Sequence, residues 1–429
     1  MSSNKDFRVA IVGGGICGLA CAIYLLRAGI HVDLFESASR FKEIGAGVEL
    51  GPNAVRALNF LGLTEAVLAH ANPSKPEIRP FCFISALAGH QFIHHYEALP
   101  EDLGLGIHRP AFIDALAGLI DLSIIHFNKR CVSITKHDDP GRGASIIHFA
   151  DGTTFEAEVV LGADGIRSTV RRTVTEQHDA TRVVFTRTVA YRALLPLEDI
   201  LQAGVQIDFS RWPHSLVGIN KHLIIFPIKN GKIQAKINLV IFYTDKSIPE
   251  GMEIPGSQWV TSASTQELLE AFDDCGPEVK KILSLIEKPS KWAIHSVDPP
   301  LDKFSRGSVA LIGDAAHGMC PHLGAGVGQG LEDVQVICEL LTHPQARLSN
   351  IESVLEAYDF VRQPRANMVL RRSVWAGELY ESLQGDDDGE VIASLRKQLQ
   401  TLWNPVWHHD LGQDVEVALQ RLRDMGIFV

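Results

Sequence analysis

The chain of 429 residues has no Cys-x-x-Cys pair. Its seven cysteines (Cys17, Cys21, Cys82, Cys131, Cys275, Cys320 and Cys338) are odd in number, so neither a disulfide framework nor a zinc site is indicated, and no metal is expected. Basic charge is short as well: 40 Lys and Arg stand against 51 Asp and Glu, a net charge of −11, with no basic stripe. Nucleic acid and anionic membrane both reward clustered cations, so neither is an expected partner, and a small molecule suits the chain better. Internal repeats and low-complexity segments are missing, and the acidic "DDDGE" at 386–390 reads as a solvated loop. The ending "GIFV" carries no lipidation, retention or peroxisomal signal. With reduced thiols as the default, a cytoplasmic protein is expected, as a monomer or homodimer.

Charge is also missing from one long run, "VAIVGGGICGLACAIYLL" at residues 9–26, which is long enough to raise a membrane span. Three consecutive glycines in its middle weaken any helix that would cross a bilayer. No small-residue cleavage site with a polar start follows it; the chain goes straight into "IHVDLF". The pattern therefore predicts a strand over Phe7–Val12, a glycine turn, a helix to about Ala28 and a strand over His31–Phe35. That is a βαβ start, with a parallel sheet and a right-handed crossover. Cys17 and Cys21, one helical turn apart, read as small apolar side chains on a packed face.

Within this run Gly13, Gly15 and Gly18 form G-x-G-x-x-G between strand and helix. The first glycine makes the tight turn, the second lets backbone approach a pyrophosphate, and the third lets helix pack on strand. The helix start would hold the anion, and Glu36 at the end of the second strand would hold an adenosine ribose hydroxyl. The same turn could serve packing alone, and the fingerprint by itself does not separate FAD from NAD.

Further along, "LGPNAVRALNFLGL" and "HRPAFIDALAGLI" predict helices, and residues 73–104 read as irregular. A hairpin is predicted at Asp151-Gly152 and another at Asn230-Gly231 in "HLIIFPIKNGKIQAKINLVIFY". Residues 182–243 thus look like an antiparallel sheet inserted into a nucleotide fold, with one face free to cover a ligand. Alternation puts Ile237, Leu239 and Ile241 on one face and Lys236 and Asn238 on the other. A buried strand returns in "SVALIGDAAH", a glycine turn and helix follow in "GAGVGQGLEDVQVICELL", and the rest is mostly helical.

Taken with the opening fingerprint, "GADGIRSTVRR" (162–172) and "LIGDAAHGMCPHLGAGVGQGLEDV" (311–334) resemble the three ordered signatures of the class A flavoprotein aromatic hydroxylases. The segment "CPHLGAGVGQGLED", the pair Tyr191-Arg192 and the tail "LWNPVWHHDL" resemble its salicylate hydroxylase branch. The resemblance implies an α/β fold: a Rossmann-like FAD-binding domain (1–75, 100–181 and 290–375), an inserted antiparallel substrate domain (76–99 and 182–289) and a helical segment (376–429). It implies FAD as cofactor, with NADH or NADPH as transient donor, since no second dinucleotide fingerprint is present.

By the same resemblance Asp314 accepts from the FAD ribityl chain, though an acid at a strand-to-helix turn also suits a helix cap. Gly324, Gly326, Val327 and Gly328 face the flavin pyrimidine edge, where a helix N-terminus favours the negative charge of the reduced ring. Arg109 lies on FAD, Asp164 supports FAD and the nicotinamide donor unless it serves only an Asp-Gly turn, and Ala46, Gly47 and Val48 run beside the isoalloxazine. His322 and Pro321 stand beside the ring to be hydroxylated. A histidine there could take the phenol proton, or it could cap the following turn; His317 reads as structural.

The implied reaction uses O2 and a C4a-hydroperoxide of the flavin to hydroxylate a phenolic acid, in particular salicylate to catechol with loss of CO2. The substrate carboxylate needs a cation, and Arg187, Arg192, Arg211, His222 and Lys236 lie in or near the inserted sheet, most of them expected at the surface. A related hydroxylase that keeps the carboxyl group, acting on a hydroxybenzoate, hydroxynicotinate or polyketide-derived phenol, is the first alternative. An NAD-binding dehydrogenase or dinucleotide sensor is the second, and it would leave the two later motifs without a role.

Overall fold

A computed structural model describes residues 5–41, 47–71, 78, 81–137, 144–176, 183–230, 234–249, 251–252, 258–385 and 389–429. The charge-free run folds as a strand, Val9–Val12, and a helix, Ile16–Arg27, joined through the glycine turn. The strand is buried along its whole length and the helix nearly all round, which is why the run carries no charge. No helix among the described residues is long and apolar enough to cross a membrane.

Val9–Val12 is central in a six-stranded sheet, ordered Ser305–Arg306, Val309–Leu311, Val159–Gly162, Val9–Val12, Val32–Phe35 and Ile125–His126. All neighbours are parallel except the Ser305–Arg306 edge. Sheets of this kind are covered on both faces, so their strands are apolar runs without alternation. The Asp151-Gly152 turn joins Ser145–Phe149 to Thr154–Ala157, with Gly152 at φ 83° and Asp151 accepting from the Thr153 amide.

An eight-stranded sheet runs Val260–Ser262, Ser290–Val297, Val183–Pro196, Gln234–Thr244, Lys221–Asn230, His214–Val217, Phe81–Ser85 and Phe92–Tyr96. One expectation is corrected here. Residues 73–104, read as irregular, contain the last two strands: "FCFIS" and "FIHHY" pair with each other as an antiparallel hairpin, and Phe81–Ser85 gains its second partner, His214–Val217, when the chain returns more than a hundred residues later. The sheet is also not wholly antiparallel, since Phe81–Ser85 runs parallel to His214–Val217. The Asn230 end of the long hairpin pairs with Gln234; Gly231 and the acidic residues 386–388 lie outside the described residues.

The two faces of this sheet have different partners. Leu216, Leu223, Ile225, Ile237, Leu239 and Ile241 pack, with Tyr191, on the helices Thr265–Ala271 and Pro277–Ser284. The opposite face carries Thr188, Arg192, His222, Phe242 and Thr244 and meets the turn at Pro321–Leu323 and the end of the long helix Ile351–Tyr380. Shorter helices, Gly389–Leu399, Asn404–Trp407 and Leu411–Asp424, complete the C-terminal part.

Candidate active site

At the C-terminal ends of the parallel strands, where open α/β sheets bind ligands, lies a cavity of about 560 Å³. It is lined by Gly13, Gly15, Glu36, Arg109, Asp164, Asp314, Gly326 and Val327, so eight residues from six separate places along the chain meet there. Gly13 has φ 113°, and a Cβ on it would clash with the Ala163 carbonyl. A Cβ on Gly18 would clash with the Gly13 carbonyl, so this glycine serves helix-to-strand packing beneath the cavity. Gly15 differs from both: a Cβ there would meet nothing within 4 Å. It precedes the first helical turn, which has no side-chain cap, so amide donors face the cavity.

Glu36 accepts from the Gly14 amide at 2.9 Å and the Ala38 amide at 2.7 Å, so it braces the turn as well as lining the cavity. Asp164 accepts from Ser168 Oγ at 2.5 Å and the Thr169 amide at 2.7 Å, fixing the start of the helix Val170–Thr175; burial raises its carboxyl pKa against these hydrogen bonds. Asp314 begins a short helix and its side chain is exposed toward the cavity. One more residue of the 162–172 stretch joins these motifs: buried Arg171 donates to the carbonyls of Asp314, Ala315 and Ile166 at 2.7–2.9 Å.

Beneath the cavity the charges are paired. Asp333 accepts from the Gly313 amide (2.8 Å), His317 Nε2 (2.6 Å) and Arg362 Nε (2.9 Å), and neighbouring Glu332 accepts from Asn53, Gln329, Arg362 and Arg365. Arg362 and Asp333 are fully buried. Asp333 is held below the usual carboxylate range by His317 and Arg362, which outweigh its burial. The network ties the Gly313-Asp314 corner to the helix Gly326–Thr342, and it gives His317 a structural position.

Beyond this helix start, Pro321–Leu323 forms one 3-10 turn, closed by Gly324 at φ 62°. Ser373 donates to the Cys320 carbonyl at 2.5 Å and anchors it to the long helix. His322 packs 5.1 Å from His222 and 5.1 Å from Phe242, centroid to centroid, and against Gly377, where any Cβ would collide with its ring. Its pKa is pushed well below 6.5 by burial and by His222, so it is a neutral imidazole. Pro321 is exposed.

Of the cations expected in the inserted sheet, the structure brings Arg192 and His222 to the face that meets His322. Arg192 lies over Trp292 at 5.2 Å, and burial and Arg109 both lower its pKa. Arg187 sits at a bulge with φ 65° and does not line the cavity. Arg211 stacks on Trp212. Gly324 and Gly328 shape the helix start without lining the cavity, Gly328 packing on Asn53 and Ala54. Gly47 and Val48 form a strand paired with Leu105–His108, and Ala46 lies outside the described residues.

The cavity suits a dinucleotide: Arg109, Lys129, Arg130, Arg167 and Arg172 face it, against three carboxylates, and a Cβ-free approach to helix amides remains open at Gly15. No cluster among the described residues could hold a metal ion.

Comparison with known proteins agrees with this geometry. Residues 6–373 match the family model described as an FAD binding domain. The chain is 38% identical to a salicylate hydroxylase of Pseudomonas putida over 98% of this chain and 97% of that one. It is 33% identical to a 6-methylsalicylate 1-monooxygenase of Aspergillus terreus, over 99% and 94%. A solved salicylate hydroxylase substrate complex superposes with a TM-score of 0.85 at 36% identity, over 96% of this chain and 98% of that one. The chain therefore belongs to the FAD-binding monooxygenases and is an FAD-dependent aromatic hydroxylase.

Proposed function

We propose that the substrate is salicylate and that the reaction is decarboxylative hydroxylation, giving catechol and CO2. One oxygen atom of O2 enters the ring, the other leaves as water, and NADH or NADPH supplies the two electrons. The observation that carries this reading is the juxtaposition of neutral His322 with the His222 and Phe242 face of the sheet, on the segment that leads to Gly326 and Val327, which line the cavity. Full-length likeness to salicylate hydroxylases supports it.

The cavity residues would hold FAD: helix amides at Gly15 and Ile16 with Arg109 toward the pyrophosphate, Glu36 toward the adenosine ribose, Asp314 toward the ribityl chain, and Gly326 and Val327 at the flavin. FAD supplies electron transfer and oxygen activation when bound. The protein's own share is to orient the ring, exclude water and handle the phenol proton. His322, unprotonated, can accept a hydrogen bond from the phenol and make the ring more electron-rich at the carbon bearing the carboxylate. Arg192, held beside Arg109 with lowered affinity for its own charge, is the cation proposed for the carboxylate.

Incubation of FAD-loaded protein with salicylate, NADH and O2 tests this, following NADH, catechol and CO2 together. Catechol and CO2 in equal amounts are expected. NADH loss with peroxide and no catechol would reject salicylate and favour a second reading, a substituted phenolic acid, which the likeness to the 6-methylsalicylate enzyme supports.

A further inference from the structure

Two buried ring nitrogens near His322 have no hydrogen-bond partner among the described residues: His322 Nδ1 and His222 Nε2. His222 is fully buried, and a polar atom kept dry without a partner is costly unless a ligand satisfies it. The other edge of the same imidazole is engaged. Its Nδ1 lies 3.1 Å from Glu381 Oε1, which also accepts from Thr244 Oγ1 at 3.1 Å, and Thr244 in turn lies 2.8 Å from Thr188 Oγ1. A carboxylate that accepts from both neighbours places a proton of His222 on Nδ1, and in the neutral ring this leaves Nε2 a lone-pair acceptor.

Glu381 is held in this place by backbone. It follows directly on the long helix, where the Gly218 amide donates to the Tyr380 carbonyl, the Asn220 amide to the Glu381 carbonyl, and Ile219 bridges Ser382. His222 is fixed from the other side by stacking on Phe242 at 4.4 Å and 13°.

We infer that Glu381 is a positioning residue that acts through His222: it fixes the imidazole tautomer so that Nε2, with His322, accepts a hydrogen bond from the hydroxyl of an aromatic acid. The negative charge behind His222 disfavours a carboxylate at this end, so the two substituents of the ring are told apart, hydroxyl toward His222 and His322 and carboxylate toward Arg192. The inference rests on the proposed substrate class, and it assigns the orientation of His222 to a residue that sequence motifs do not mark.

The test is the ratio of dissociation constants of benzoate and salicylate for the FAD-loaded protein, read from the perturbation of flavin absorbance. The unmodified enzyme is expected to prefer salicylate by about tenfold or more, the scale of one buried hydrogen bond. Glu381→Gln and His222→Phe are each expected to bring the ratio down at least about fivefold, with benzoate binding changed less than about twofold. Glu381→Asp, which keeps the charge, is expected to restore part of it. A merely structural role would weaken both ligands together and leave the ratio in place. Equal binding of the two ligands by the unmodified enzyme overturns the inference, as does a ratio retained in both variants. If Glu381→Gln fails to hold FAD, Thr244→Val, which removes one donor to Glu381, is read in its place. Absence of catechol with the ratio intact rejects salicylate as substrate and leaves the role of Glu381 standing.

Discussion

A methyl group separates the roles of Gly13 and Gly15. At Gly13 it would meet the Ala163 carbonyl, with a backbone at φ 113° that costs an L-residue about 1–3 kcal/mol before any clash. At Gly15 the backbone is extended and the space is open. Gly15→Ala is therefore expected to leave the thermal midpoint of the FAD-free protein within a degree or two, about the effect of a few tenths of a kcal/mol, while FAD affinity falls at least about tenfold. An unchanged affinity by flavin fluorescence would show that no ligand backbone approaches there. His322 gives a pH-dependent prediction. Its folded pKa lies well below 6.5, so as pH falls through that value the unfolded chain takes up a proton that the folded chain refuses, and stability declines toward acid. The ring nitrogens of His322, followed by NMR, are expected to show no titration between pH 8 and 6; protonation near 6.5 would contradict its burial against His222.

At the scale of elements, the helix Gly326–Thr342 and the long helix Ile351–Tyr380 are joined by charge within an apolar core. Arg362 serves Glu332, Asp333 and the Gln329 carbonyl at once, and with Arg365 it balances the two carboxylates. Buried networks of this kind add little net stability when complete, but removal of one member strands a charge without water. Arg362→Met is expected to lower unfolding stability by about 3–5 kcal/mol in urea titration. Because Asp333 also receives the Gly313 amide, the same variant should loosen the Asp314 corner and weaken FAD retention. A loss below about 1 kcal/mol would mean that the carboxylates find other donors.

Over the whole molecule, the two sheets share the segment that forms the site. Leu323 and Ala325 belong to the core beside the larger sheet and the C-terminal helices, whereas Leu331 and Val334, about two turns on, belong to the core of the parallel sheet. A ligand on this segment stabilises both. FAD at a hundred times its dissociation constant adds about 2.7 kcal/mol. The expected melting curve is one cooperative transition that shifts upward with FAD; two transitions, of which only one responds, would show that the sheets unfold separately.

The sequence by itself determined the opening βαβ unit, its glycine turn and the parallel sheet, because these depend on contiguous residues: an apolar strand, three spaced glycines and a buried helix. It also marked Arg109, Asp164, Asp314 and, from the glycine loop, Gly326 and Val327 as candidates that the fold places on one cavity. Tertiary structure decided the rest. Phe81–Ser85 and Phe92–Tyr96 pair with each other locally, but they join the larger sheet only because Phe81–Ser85 meets His214–Val217, more than a hundred residues away, which no local pattern announces. The face of the inserted sheet that meets His322 is set by register: Thr188, Arg192, His222, Phe242 and Thr244 share it, and Arg187 leaves it at a bulge. Arg171 stands in a marked stretch, but its contact with Asp314 spans 143 residues; Arg362 and Glu381 carry no distinctive spacing, because their partners lie 29 and 159 residues away along the chain. Charges that pair across such distances are invisible to periodicity and decisive in a buried site, where only the folded chain brings donor and acceptor within 3 Å or so.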